Sequence, residues 1–532
     1  MKRVIIVLAL FVSASIALSA RLFFLINDEQ IAAASVGRGH YTVKSVGEYA
    51  GIYDCNLEPL VNLSEKYEAV IIPNHDSSIR IQPYLADMDT YYDGISGRVP
   101  FICRVTSGAY SLGDGAIIFR SRVRTDSRQL APHIIGYTSD NVGIYGIEKS
   151  CNELLRSSYS LNSATFSVDA LGSALNGLDI EIEEAGSVRS GVVTTLDKNI
   201  QQICESAAEK YNIKRGAIVV MDIKSGEIRA VVSCPDFDTS DISASLSAPD
   251  APFINRAFSA YSVGSIFKLV TSAAALEEGI SPEYSYICTG SANVYGQIFN
   301  CHKWGGHGEL DMGTAIVESC NTYFIALSEY IDNEKYIETA SGFGFGTETE
   351  LCPGMVSASG NLQTPADIAI AAERANMSFG QGMLTATPLQ ICTMTSAIAN
   401  NGVLNEPVLI KGFLDENGDM EYSNINAGKR VISYATARKL KNFMSDTVRA
   451  NNSMSKPDKT AAAGKTSTAQ TGNFDDLGNE ILNCWFTGYF PSYAPKYAVT
   501  VLVEGGTSGN SACGPVFREI ADNITELYGS RS

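Results

Sequence analysis

Residues 255–279 read Asn255-Arg-Ala-Phe-Ser-Ala-Tyr-Ser-Val-Gly-Ser-Ile-Phe-Lys268-Leu-Val-Thr-Ser-Ala-Ala-Ala-Leu-Glu-Glu-Gly279. After Gly264 the pattern is helical: apolar side chains recur at Ile266, Leu269, Val270, Ala273, Ala274 and Leu276, and Gly279 supplies a stop. Ser265 opens this helix, and Lys268 lies one turn along on the same face. A serine hydroxyl is a poor nucleophile until a neighbouring base takes its proton. A lysine amine one turn away can serve if burial and a second cation depress its pKa. The amino end of the helix also offers backbone N–H groups to a developing oxyanion. Spacing alone decides nothing, since Ser453-Met-Ser-Lys456 shares it in a polar stretch before Pro457, with no apolar helix behind.

Outward from this stretch, a chain of 532 residues has room for two or three domains. Lys plus Arg number 40 against 58 Asp plus Glu, a net charge of −18, which argues against an extended nucleic-acid footprint. Lys2-Arg3 precede an uncharged run from Val4 to Ala20, then Arg21 and a second apolar block, Leu22 to Ile26. This reads as a single-pass transmembrane anchor with a cytoplasmic amino end and the bulk of the chain extracytoplasmic. A cleaved signal peptide is the alternative, given the small residues up to Ala20; apolar character continuing beyond them favours the anchor. The twelve cysteines are scattered singly and read mostly as small buried apolar residues, with Cys288 and Cys301 the first pair to check for a disulfide.

Residues 27–190 are rich in Gly, Ser and Tyr, with short alternating runs such as Tyr67 to Pro73, and predict a β-rich domain without a catalytic cluster. Ser139-Asp-Asn141 there reads as a polar turn. Composition shifts near residue 190. A strand beginning at Val192 leads into a helix, 216–222 and 227–233 form a hairpin, Ala498 to Val503 is a strand, and 514–528 is a closing helix. Strands at both ends of a helical middle predict an α+β domain over 191–532, its central antiparallel β-sheet assembled from distant segments and flanked by helices. The order is thus anchor (1–26), pedestal (27–190) and catalytic domain (191–532). Gly342-Phe-Gly-Phe-Gly346 reads as a helix-ending turn and not a phosphate loop.

Two segments complete a constellation with Ser265 and Lys268. Ser319-Cys-Asn321 stands just before the apolar run from Phe324, and Gly464-Lys465-Thr466-Ser467-Thr468 forms a small-residue strand along which a substrate could lie. Ser291-Ala-Asn293 and Ser508-Gly-Asn510 share the SxN pattern but open no apolar helix. The three segments in this order resemble the penicillin-recognising serine acyltransferases. The chain is most similar to class B penicillin-binding proteins, the D,D-transpeptidases of cell-wall synthesis. Further similar stretches are Gly51-Ile-Tyr-Asp54, Gly143 to Glu148, Asn152-Glu-Leu-Leu155, Thr195-Leu-Asp197, Asn255-Arg-Ala257, Gly306-His-Gly308, Gly380 to Gln390 and Trp485 to Pro491.

The resemblance implies roles. Ser265 forms an acyl-enzyme with a stem peptide, Lys268 takes its proton, and Ser319 relays a proton to the leaving amine. Asn321 holds Lys268 and the donor peptide. Lys465 supplies positive charge, and Thr466 binds the terminal carboxylate. The oxyanion sits between the N–H groups of Ser265 and Thr468. It also implies covalent inhibition by β-lactams, a polytopic membrane glycan polymerase as partner, and no cofactor. Two positions depart from the family: Ser467 stands where glycine is usual, and Asp54-Cys-Asn-Leu57 replaces Asp-Arg-Asn-Gly. A hydrolase or carboxypeptidase relative, a β-lactam sensor and a catalytically weak scaffold remain alternative readings. Cys288, Cys301, His302 and His307 invite a zinc reading, but the cysteines are too far apart for the usual close ligand pairs, and no metal is expected.

Overall fold

The computed structural model describes residues 2–26, 39–47, 49–73, 76–112, 117–125, 129–139, 141–157, 160–186, 188–423, 427–475 and 477–529. The chain divides into two compact units, one of 1–50, 62–124 and 158–188, the other of 51–61, 125–157 and 189–532.

In the first unit, His40–Val46, Leu161–Ser167 and Glu181–Glu183 form one antiparallel sheet, with the second of these strands central. Ser64–Ile71 lies between Phe101–Val105 and Ile117–Val123 in another. Val43, Val70, Phe119 and Phe166 form a core that draws on both sheets. Residues Lys2–Ile26 are helical. The transmembrane expectation is corrected here: among the described residues, no helix is long and apolar enough to cross a membrane. The described side chains of this helix, Val7, Leu8 and 10–21, form a shorter run than the roughly 20 apolar residues that span a bilayer. Ser13, Ser15, Ser19 and Arg21 interrupt it further, and the side chains of Leu22 to Ile26 lie outside the described residues. The membrane attachment, single-pass localisation and extracytoplasmic orientation that rested on the anchor fall with it.

The second unit is the α+β body. Its sheet comprises β1 (Gly216–Asp222), β2 (Ile228–Cys234), β3 (Ala463–Phe474), β4 (Glu480–Phe490) and β5 (Tyr497–Glu504), in the order β2-β1-β5-β4-β3. Every neighbouring pair is antiparallel, so the strands from the two ends of the domain meet at β1 and β5. α1 (Lys198–Lys210) starts at Asp197, whose carboxylate accepts from the N–H groups of Asn199 and Ile200. It covers the sheet together with α6 (Gly514–Tyr528), through a core that includes Ile200, Cys204, Val220, Phe486, Val501, Phe517 and Ile520. Between α1 and α6 in the chain come α2 (Lys268–Glu277), α3 (Asn321–Ser328), α4 (Pro388–Ala399) and α5 (Tyr434–Arg449). Every residue of α4 is buried, and its Thr395 hydroxyl meets that of Thr487 on β4 at 2.7 Å. Helices thus cover the sheet, so β1 is buried almost throughout and lacks polar alternation.

The segment that departs from Asp-Arg-Asn-Gly belongs to this body. Gly51–Tyr53 pairs in parallel with Gly191–Thr194, and the buried Asp54 carboxylate accepts from the N–H groups of Asn56, Glu58 and Lys198 at 2.7, 2.8 and 3.1 Å. Leu57 holds φ at 66°, a left-handed conformation that glycine adopts at no steric cost. The turn therefore survives loss of the family's glycine at a backbone cost of roughly 1–2 kcal/mol. Leu57 is half exposed, with little packing to lose. Leu57→Gly is expected to stabilise the chain by about 1 kcal/mol, read as a higher urea midpoint; a lower midpoint would contradict this account of the turn.

Candidate active site

The nucleophile turn is a tight helical turn, Gly264–Phe267, that runs directly into α2. Gly264 holds φ at 61°, and a Cβ there would collide with the Ser467 hydroxyl and come within 2.9 Å of Ala469 Cβ. Only glycine lets this turn approach β3 so closely. The next residue is Ser265, and Lys268 begins α2 with its side chain fully buried.

Lys268 Nζ is the hub. It lies 3.0 Å from Ser265 Oγ, 2.6 Å from the Ser319 carbonyl, 3.2 Å from Ser319 Oγ and 2.8 Å from Asn321 Oδ1. Ser319, at a φ of 53°, turns the chain from the helix Met312–Val317 into α3, placing its carbonyl and hydroxyl toward the same amine. From β3, the edge strand, Lys465 Nζ reaches Ser319 Oγ at 3.1 Å and the Thr466 carbonyl at 3.0 Å. Ser319 Oγ therefore sits between two lysine amines.

Burial, and then the charge of Lys465, push the Lys268 amine well below the usual range. Burial alone lowers Lys465, to about 8. Near neutral pH Lys465 is mostly charged, and its charge together with burial favours the neutral form of Lys268. A neutral amine has two N–H donors and one lone pair. The Ser319 carbonyl and Asn321 Oδ1 are pure acceptors and take the two donors, which leaves the lone pair for a hydroxyl. Ser265 O–H is then able to donate to it.

Ser265, Lys268, Ser319, Asn321 and Lys465 are thus joined by direct hydrogen bonds. Thr466, Ser467 and Thr468 continue along β3. Thr466 is half-buried, and the Thr468 hydroxyl accepts from the Gly509 N–H at 3.0 Å. Ser467 is buried, and its hydroxyl donates to the Val263 carbonyl at 2.8 Å, two residues before Ser265. The additional side chain thus ties the strand to the nucleophile turn. Of the other SxN matches, Ser291-Ala-Asn293 lies in the strand Ser291–Val294, and Ser508 caps the short helix Gly509–Ala512.

The sequence reading did not single out Glu504. Its carboxylate, at the end of β5, receives Arg256 Nε at 3.0 Å, Arg215 at 2.8 Å and the Tyr261 hydroxyl at 3.1 Å. Trp485 Nε1 donates to the Ser262 carbonyl at 3.0 Å. Both pin the segment leading to Ser265 onto the sheet. The quoted Asn255-Arg-Ala257 was the one available signal; its carboxylate partner lies far away in sequence.

The cysteines are mostly buried, as their scattered single placement predicts. All twelve are free thiols, so Cys288 and Cys301 form no disulfide. They nevertheless converge, together with His307 and with Cys320, which the sequence reading had left out.

Residues 216–522 match the family model described as the penicillin binding protein transpeptidase domain, and the chain belongs to that family. It is similar to the stage V sporulation protein D of Bacillus subtilis, 29% identical over 427 residues, which are 74% of this chain and 62% of that protein. Peptidoglycan D,D-transpeptidase PbpA of Mycolicibacterium smegmatis is 29% identical over 344 residues, 61% of this chain and 69% of that one. The match thus spans somewhat less than two thirds of the first relative's length. Among solved structures, penicillin-binding protein 3 of Mycobacterium tuberculosis complexed with ampicillin shares the fold, with a TM-score of 0.66 and 22% identity over 91% of this chain and 96% of that one.

Proposed function

We propose that this protein is a serine-type peptidoglycan D,D-transpeptidase that crosslinks stem peptides and is acylated by β-lactams. The observation that carries the reading is the fully buried Lys268 amine, which lies 3.0 Å from Ser265 Oγ and bonds the Ser319 carbonyl and Asn321 Oδ1, in surroundings that favour its neutral form.

Ser265 Oγ attacks the carbonyl carbon of the penultimate D-Ala and gives its proton to Lys268. The carbonyl oxygen takes up negative charge between the N–H groups of Ser265 and Thr468. The C–N bond to the terminal D-Ala breaks as its nitrogen receives a proton through Ser319, which touches both lysines. An ester on Ser265 remains. An amine of a second stem peptide attacks that ester, forms the new amide and returns a proton to Ser265. Lys465, mostly charged near neutral pH, attracts the substrate carboxylate beside Thr466. The curated relative PbpA, named as a peptidoglycan D,D-transpeptidase, and the ampicillin complex of a protein with this fold support the choice of donor and inhibitor.

Incubation with a stem pentapeptide and an acceptor amine tests the reaction. One crosslinked product per D-Ala released is expected; D-Ala release with hydrolysed tetrapeptide alone would mark a carboxypeptidase instead.

The pH dependence follows from the two amines. Acylation needs Lys268 neutral and Lys465 charged. The rate is expected to fall on the alkaline side as Lys465 deprotonates near pH 8. On the acid side it falls where Lys268 gains a proton, below the ordinary lysine range. Acylation by a fluorescent penicillin across pH measures this, and in Lys465→Arg the alkaline limb should disappear because guanidinium stays charged. An alkaline limb unchanged in that variant would contradict the assignment.

A further inference from the structure

We propose that Cys288, Cys301, His307 and Cys320 bind one zinc ion, and that this centre positions the Ser319-Cys320-Asn321 segment against Lys268. The four donor atoms lie within 4.8 Å of one another. Cys301 Sγ is 3.8 Å from Cys320 Sγ and 3.5 Å from His307 Nδ1. With Zn–S near 2.3 Å and Zn–N near 2.0–2.1 Å, a tetrahedron puts two sulfurs about 3.8 Å apart and a sulfur and nitrogen about 3.6 Å apart. Cys301 thus already stands at co-ligand distance from Cys320 and from His307. All three cysteines are buried.

The imidazole carries a second, independent sign. His307 Nε2 is buried without a hydrogen-bond partner, and the nearest carboxylate, Glu318, stands 4.0 Å away. A metal-bound histidine commonly offers its other ring N–H to a carboxylate, which fixes the tautomer that leaves Nδ1 free to ligate. Three thiolates and an imidazole in a closed tetrahedral set favour zinc and a structural role, since no open position is left for substrate. On binding, the thiols release their protons to solvent.

The backbone explains how distant residues converge. Tyr286–Cys288 pairs antiparallel with Gly308–Leu310, setting Cys288 opposite Gly308 and beside His307. Between them the hairpin Ser291–Val294 and Gln297–Asn300 returns the chain so that the Cys301 N–H donates to the Gly290 carbonyl at 2.9 Å. Within this excursion Val294 and Phe299 pack against Ile325 of α3, while Trp304 and Tyr295 are almost completely exposed. Cys320 comes from outside it, between Ser319 and Asn321. The metal would therefore fasten the excursion to the turn on which Ser319 holds its left-handed φ. Asn321 Nδ2 reinforces the same junction by donating to the Asn300 carbonyl at 3.3 Å, next to Cys301.

The positioning role rests on the transpeptidase reading; the metal content does not. The full chain, purified with zinc and then passed through a chelator, is expected to retain about one zinc per chain by elemental mass spectrometry. Cobalt in its place should give the intense visible bands of a tetrahedral thiolate site. Cys288→Ser combined with His307→Ala should reduce retained zinc to under about a tenth. Glu318→Ala keeps every ligand, and should weaken zinc binding about 10–100-fold in chelator competition. Zinc stripping should slow acylation by fluorescent penicillin about 10-fold or more, with recovery on adding zinc back. A folded parent chain without stoichiometric zinc and without cobalt–thiolate bands would overturn the site, and unchanged affinity in Glu318→Ala would overturn the carboxylate's part. Full acylation by the stripped protein would overturn the positioning role. Stoichiometric zinc in a chain that no penicillin acylates would leave the site standing and sink the transpeptidase reading.

Discussion

Ser265→Ala is expected to abolish crosslinking of stem peptides, a loss of about 10⁴-fold or more in turnover, and to leave the folded state intact. The substitution removes one hydroxyl whose partner is Lys268 Nζ at 3.0 Å. Stability should change little, because the amine keeps the Ser319 carbonyl and Asn321 Oδ1 as acceptors. Ser319 Oγ is also near Lys268, at 3.2 Å, but is held between two lysines, so it is placed to relay protons and not to replace the nucleophile. Turnover in Ser265→Ala within tenfold of the parent would remove Ser265 from the reaction.

Removing the base should cost nearly as much. General-base catalysis contributes typically 10²–10⁴-fold, and Lys268→Arg is expected to lose acylation within that range. Arginine supplies donors to the Ser319 and Asn321 oxygens but has no lone pair for a hydroxyl proton near neutral pH. The acid limb of the pH profile should vanish with the group that produces it. Lys268→Met removes the buried donors as well, and so separates packing from chemistry: both variants should lose the rate, but Met also leaves two carbonyl oxygens unpaired. Unimpaired acylation in Lys268→Arg would show that charge, and not proton acceptance, is what position 268 provides.

What the amino-acid sequence disclosed follows the range of the interactions involved. The spacing of Ser265 and Lys268 is local, and the apolar residues after Gly264 announced a helix; the structure refines its start into a tighter turn before α2. The β1–β2 hairpin, the β5 strand and α6 were legible from short apolar runs with turn residues between them. Convergence across long separations was not. Cys320 looked like a small apolar residue inside a recognised triplet, and only the fold brings it to His307 and Cys301. Residues 51–61 and 125–157 precede the compositional change near 190, yet they join the larger unit: Gly51–Tyr53 supplies a strand to Gly191–Thr194, and the Ala131 N–H donates to Glu205 of α1. The amino-terminal run shows the converse error. Its apolar composition suggested a membrane span, whereas no described helix reaches the needed length and apolarity.

Intact-mass measurement of the full chain after incubation with benzylpenicillin, followed by peptide mapping, tests the central claim most directly. The account requires a mass gain of one penicillin per chain, carried on the peptide containing Ser265 and absent from Ser265→Ala. No covalent gain, or a gain that maps elsewhere and persists in that variant, would contradict it.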